Sequence, residues 1–273
     1  MKFFARLSFA MAFLIVMALP LYAAVGDGLL LYFSFDESGG DTVPDLSGGG
    51  HNGTLKEGSA ITADAMHGAG ALQIEGGNET MEVASFAALE EYQDNTYSFW
   101  INFTDDASGG WDQILAKPGP GSDRSPGLWV TPDGLSIHYR YNPGNLGPWG
   151  VNPTGLDGRS DGTYFEVGQW YHMAGVTAGG ELVAYVDGEE VGSIAIPAEI
   201  AQGPGEGSTG GLHVGNSPAY GGPAAKFIID ELAVYDRGLS ADEVAGIMAG
   251  DLTTAVEPTS KLISTWGDMK SQY

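Results

Sequence analysis

Cysteine is absent from all 273 residues, so this chain has no disulfide, no thiolate nucleophile and no cysteine-held metal. Histidine is nearly as scarce: there are five, none at zinc-ligand spacing. Basic residues number 11 against 35 acidic ones, a net charge of −24. Such a surface repels phosphate backbones, which excludes nucleic acid as a partner, and it disfavours anionic membrane. Past residue 24 no apolar run approaches the roughly 20 residues of a membrane span, so the mature chain is expected to have none. The phosphate-cradling Gly-rich loop with Lys and Ser/Thr is missing.

The one long apolar stretch stands at the start. Lys2 and Arg6 precede a run from Leu7 to Leu21, and Ala23 and Ala24 supply small residues for cleavage. That layout predicts a secretory signal peptide over residues 1–23, cut after Ala23 or Ala24. The alternative is an uncleaved anchor. Export without disulfides fits a bacterial periplasm, cell surface or secreted location better than animal secretion. Loss of Lys2 and Arg6 with the leader leaves the mature chain more acidic still. Most of that acidity serves solubility.

Glycine is abundant, 43 residues, about twice its usual ~7% share. Tight turns and short strands follow. Tyr97, Phe99, Ile101 and Phe103 alternate with polar neighbours, as do Leu135, Ile137, Tyr139 and Tyr141. Further strands are predicted over Leu29 to Phe35, Gln169 to Val176, Glu181 to Val186, Val191 to Ile196, Leu212 to Gly215 and Phe227 to Tyr235. Asp187-Gly188 supplies the positive φ of a two-residue hairpin turn. Strands at this spacing predict a sandwich or jelly roll. One helix is expected. Ser240 and Glu243 form a capping box, Val244, Ile247 and Met248 follow at helical spacing, and Gly250 ends it. The domain is bounded at 24–250. Residues 251–273 change composition and read as a tail, either a docking segment or a disordered terminus.

In order, the chain carries Tyr32-Phe33-Ser34-Phe35-Asp36-Glu37, then Asp45-Leu46-Ser47-Gly48-Gly49-Gly50-His51-Asn52-Gly53. Tyr97-Ser98-Phe99-Trp100-Ile101, Trp170-Tyr171-His172 and Tyr185-Val186-Asp187-Gly188 follow. His213-Val214-Gly215-Asn216 and Ile229-Asp230-Glu231-Leu232-Ala233-Val234-Tyr235 close the series. This set resembles the laminin-G-like jelly rolls of the concanavalin A-like lectin/glucanase superfamily, from about Leu29 to Gly250. The resemblance implies an all-β fold of two antiparallel sheets packed face to face, with one short C-terminal helix. It also implies a binding or adhesion module with a structural Ca²⁺. The fold alone does not name the ligand.

Ca²⁺ takes roughly six to eight oxygen ligands. The resemblance carries that site onto Asp36, Asp45, Asn52 and Asp230. The same residues also read as Asx turns bonding their own backbone. For catalysis, glycoside hydrolysis needs paired carboxylates, and the glucanase pattern Glu-x-Asp-x-Glu is absent. Asp36-Glu37, Glu189-Glu190 and Asp230-Glu231 are adjacent, so a regular strand would send them to opposite faces. No catalytic residue is therefore assigned. His172 reads as a hydrogen-bonded core residue, His138 as facing outward beside Arg140. For ligand binding, the stretches Ser108 to Gly127 and Asn142 to Tyr164 read as long loops carrying Trp111, Lys117, Arg124, Trp149 and Arg159. Trp111, Tyr141, Trp149 and Tyr220 are the candidate contact residues, since an exposed aromatic ring stacks on a sugar. The alternative is that Trp111 and Trp149 only pin their loops. The expected function is an exported, non-catalytic module binding glycan or extracellular protein through loops. A glycan-active hydrolase or lyase of the same superfamily, or a purely structural surface protein, are the alternatives.

Overall fold

The computed structural model describes residues 26–37, 39–91, 94–118, 124–142, 164–195 and 210–252. The leader, Trp149, Arg159, the Tyr141 and Arg124 side chains and the tail from residue 253 lie outside the described residues. In chain order the elements are β1 (Leu29–Phe33), β2 (Thr42–Val43), β3 (Gly53–Lys56), β4 (Ala60–Thr62), β5 (Ala71–Gly77), β6 (Thr80–Val83), α1 (Ala87–Glu91), β7 (Asn95–Phe103), β8 (Asp112–Pro118), β9 (Arg124–Thr131), β10 (Gly134–Asn142), β11 (Trp170–Ala178), β12 (Glu181–Val186), β13 (Glu189–Ala195), β14 (Leu212–Gly215), β15 (Ala224–Tyr235) and α2 (Ala241–Met248).

Pairing divides them into two antiparallel sheets. The first runs β13-β12-β11-β7-β15, and β15 then pairs end to end with β5 and β1 along its other side, with β4 outside β5. The second runs β10-β9-β8-β14-β6-β3-β2. A single parallel bridge, Ala224 to Gln113, joins them. The inward side chains of both sheets form one core, Tyr97, Phe99, Ile101 and Phe103 from β7 meeting Leu128, Val130, Ile137 and Tyr139 from β9 and β10. The period-two pattern read from β7 and β10 thus marks the buried face. Gly175 of β11 lies against the Tyr139 ring so closely that a Cβ there would enter the ring.

The outer face of the first sheet is partly covered by α2. Val244, Ile247, Leu239 and Leu252 pack on Tyr32, Val176, Ala233 and Tyr235. The helix starts as predicted: the Ser240 hydroxyl accepts from the Glu243 N–H, and the Glu243 carboxylate accepts from the Ser240 N–H at 2.8 Å. The hairpin at Asp187 (φ 50°) and Gly188 (φ 80°) also forms as read.

Two expectations need correction. A second helix, α1, precedes β7 where one helix was expected. The stretch Ser108 to Gly127 is not a loop: it holds β8 and the start of β9. Every residue of β8 is buried, so its sequence shows no alternation, and Pro126 and Gly127 mask β9. Lys117 sits within β8, buried, with its ammonium 2.7 Å from Glu90 of α1. It is a packing residue and not a loop contact.

Candidate functional site

The residues carried over for calcium fall into two places. Asp45 and Asn52 staple the first Gly-rich loop. The Asn52 side-chain oxygen accepts from the Asp45 N–H at 3.0 Å. Asp45 Oδ1 accepts from the N–H groups of Tyr32 and Ser47, and Oδ2 from the Ser47 hydroxyl and the His51 N–H, all at 2.9–3.2 Å. Four donors on two oxygens fill the lone pairs of Asp45, which is the Asx-turn arrangement. Asp36 and Asp230 instead hold the segment 66–70. Asp36 Oδ1 accepts from Ala69 and Gly70, and Asp230 Oδ2 from Met66 and His67, the last two at 3.0 Å. Among the described residues no group of three or more His, Asp and Glu is arranged to hold a metal ion. Asp45 and Asn52 thus share one loop, while Asp36 and Asp230 share the segment 66–70.

Sequence reasoning missed Glu231. It takes φ 53° and interrupts the β15–β7 register between Asp230 and Ala233. This bulge shifts the alternation by one residue. Ile229 and Leu232 both face the core, while Glu231 turns outward and accepts a 2.5 Å bond from the Tyr32 hydroxyl. Asp230 and Glu231 therefore share the outer face, contrary to the rule for a regular strand. Burial pushes Asp230 up to about 6 and Glu231 to about 7, and the nearby Asp36 charge adds to both. A non-glycine residue at positive φ has no one-letter signature, so the sequence offered no warning.

Histidine 172 lies on the same face. Its Nε2 is 3.0 Å from the Ser98 hydroxyl, and burial lowers it to about 4. It is neutral, enclosed and hydrogen-bonded, the core histidine expected.

The outer face of the second sheet is different in kind. Leu128 and Val130 of β9, and Ile137 and Tyr139 of β10, face the core, which turns Trp129, His138 and Arg140 outward. Trp111 immediately precedes β8 and is 41% exposed, its turn fixed by Asp112 accepting from the Ser108 N–H and hydroxyl. Tyr220 arrives on the loop 216–223. These residues line an open groove of about 500 Å³. Trp129 and Tyr220 meet edge to face at 5.5 Å, and Trp111 and His138 at 5.1 Å.

Two residues set this geometry. Gln113 is fully buried, and its amide grips both ends of the Tyr220 loop. Its Oε1 accepts from the Ser217 N–H and its Nε2 donates to the Gly222 carbonyl, each at 2.9 Å. Gly222 takes φ 94°, and a Cβ there would sit 2.5 Å from the Trp111 carbonyl oxygen. Only glycine lets the loop cross so close to Trp111. Two of the four predicted contact residues, Trp111 and Tyr220, thus converge in one groove. Trp149 and the Tyr141 side chain lie outside the described residues. Trp129 was missed because Pro126 and Gly127 hid its strand.

A two-sheet antiparallel sandwich of this kind defines a class of fold and not one activity. Residues 75–245 match the laminin G family model of the concanavalin A-like lectin/glucanases superfamily, and the chain belongs to that superfamily. No curated protein matches the sequence. Among solved structures, Trypanosoma rangeli sialidase in complex with sialic acid is similar at TM-score 0.58 and 15% identity, over 81% of this chain and 33% of that one. The botulinum neurotoxin serotype D binding domain is similar at TM-score 0.58 and 12% identity, over 84% and 53%. A sialidase mutant with trans-sialidase activity gives 0.57 and 15%, over 83% and 33%. This chain therefore spans between a third and about half the length of these structures, and at such identities they show the fold. They include both an enzyme and a binding domain.

Proposed function

We propose that this protein is an exported, non-catalytic recognition module that binds a glycan in the groove of Trp111, Trp129 and Tyr220. The convergence of the exposed Trp111 from the turn before β8, Tyr220 from the 216–223 loop and the largely buried Trp129 of β9, in one open groove with His138 and Arg140, carries this conclusion. Aromatic faces take the C–H faces of a sugar ring, and the polar groups around them take its hydroxyls. A peptide adding a strand does not fit this groove, because strand addition needs an exposed sheet edge and the groove lies on a sheet face. The superfamily, and neighbours that include a sialidase bound to sialic acid and a toxin's binding domain, support recognition of this kind.

The groove's described lining has no carboxylate, whereas glycoside hydrolysis uses two, about 5–10 Å apart. One observation favours an enzymatic reading: the His138 imidazole and the Tyr220 hydroxyl, both groups able to exchange a proton, share the groove with the Arg140 cation. Glycan arrays followed by calorimetry test the main reading. Trp111→Ala and Tyr220→Ala are each expected to weaken binding about tenfold or more. Binding unaffected by both substitutions sinks it. Product release from a bound glycan, abolished by Tyr220→Phe, moves the protein to the enzymes.

A further inference from the structure

We infer that the ligand is a neutral glycan chain of several units laid across the second sheet, and not a single terminal sugar. This rests on the glycan reading and extends it. Tyr220 borders two clefts at once. On one side is the aromatic groove. On the other is a polar cleft of about 500 Å³ lined by Asn78, Thr80 and Asn216, with Lys56 and Glu82 beyond them. A third cleft, about 370 Å³, shares Lys56 and Glu82 and reaches Thr54 and His213.

All three lie on the outward-facing side of the same sheet. Met81 and Val83 of β6, Gly53 and Leu55 of β3, and Leu212 and Val214 of β14 point inward or are buried, leaving Thr80, Glu82, Thr54, Lys56 and His213 outside. The order β10-β9-β8-β14-β6-β3 then fixes the span. Five strand spacings at about 4.8 Å give roughly 24 Å from the His138 strand to the Lys56 strand, far longer than one sugar ring.

The chemistry changes along this path in a way that suits one linear ligand. Trp111 and Tyr220 at the β9–β10 end offer stacking. Amide and hydroxyl groups over β6 and the 216–223 loop offer hydrogen bonds. Asn216 is held for this by donating its Nδ2 to the Gly222 carbonyl at 3.0 Å, so the same loop that carries Tyr220 sets the polar cleft. The far clefts carry no excess of positive charge, since Lys56 pairs with Glu82, Glu57 stands beside them, and burial holds His213 below its ordinary value. With a net charge of −24, a polyanionic chain is repelled, which leaves a neutral one.

The test is calorimetry of the full chain with cello-, xylo- and malto-oligosaccharides, from the monosaccharide to the hexasaccharide. For the backbone that binds, affinity is expected to rise at least about tenfold between the disaccharide and the pentasaccharide. Lys56→Ala and Asn78→Ala, both at the surface, are expected to shrink that gain, while Trp111→Ala lowers affinity at every length. Affinity flat with chain length, yet lost in Trp111→Ala, overturns the multi-unit site and leaves the glycan function standing. Binding confined to sulfated or uronic-acid chains overturns the neutral assignment. No binding to any glycan on a printed array overturns the proposed function and this inference with it.

Discussion

Glu231→Gln is expected to stabilise this protein, and only above about pH 5. In the fold, burial raises the Glu231 carboxyl most, the Tyr32 hydroxyl bond pulls the other way, and the charges of Asp230 and Asp36 add to the rise, giving about 7 against an ordinary 4.5. Below about pH 4.5 the group is protonated whether the chain is folded or not, so it costs nothing. Between about 4.5 and 7 the folded chain holds a proton that the unfolded chain releases, so stability falls as pH rises. Above 7 the loss is complete. At about 1.4 kcal/mol per pH unit the gap is on the order of 3 kcal/mol. Glu231 is 7% exposed, so solvent screening removes little of this. Glutamine keeps the acceptor for Tyr32 and carries no charge. At roughly 2–4 °C per kcal/mol for a domain of this size, Tm at pH 8 is expected to rise by about 10 °C, with no change near pH 4.5. Scanning calorimetry of both proteins across that range, with EDTA present, measures it. A variant whose Tm at pH 8 equals or falls below that of the parent refutes the reasoning. Asp230→Asn is the poorer probe, because its carboxylate accepts three backbone N–H groups that an amide nitrogen would oppose.

Three further outcomes follow from particular contacts. Gly222→Ala forces a Cβ toward the Trp111 carbonyl at positive φ; it is expected to cost about 1–3 kcal/mol in urea unfolding and to weaken glycan binding by displacing Tyr220. Gly175→Ala drives a methyl into the Tyr139 ring between the sheets and is expected to cost at least about 1–3 kcal/mol; an unchanged denaturation midpoint would mean the sheets separate easily at this point. Removal of divalent ions with EDTA is expected to leave Tm unchanged, because Asp45 already carries four donors; a lower melting temperature would show that a cation displaces them.

Much of the scaffold was legible in the residues alone. Alternation in β7 and β10 marked the core face, because side chains in an extended strand alternate whatever their neighbours do. Ser240 with Glu243, and Asp187 with Gly188, fixed a helix start and a hairpin through bonds and dihedrals only a few residues long. The absence of cysteine and the excess of acid excluded whole classes of chemistry before any fold was considered. The tertiary structure decided what depends on residues far apart in the chain. The β8 strand, buried on both faces, has no period to read. The bulge at Glu231 put two neighbouring carboxylates on one face. Asp45 and Asp230 took different backbone partners, Tyr32, Ser47 and His51 for one and Met66 and His67 for the other. Trp111, Trp129 and Tyr220 became one groove because strand pairing and the Gln113 amide bring positions more than a hundred residues apart into contact. Local sequence sets dihedrals, caps and faces, while strand register and loop crossing bring distant side chains together, and the binding surface of this protein is made of the second kind.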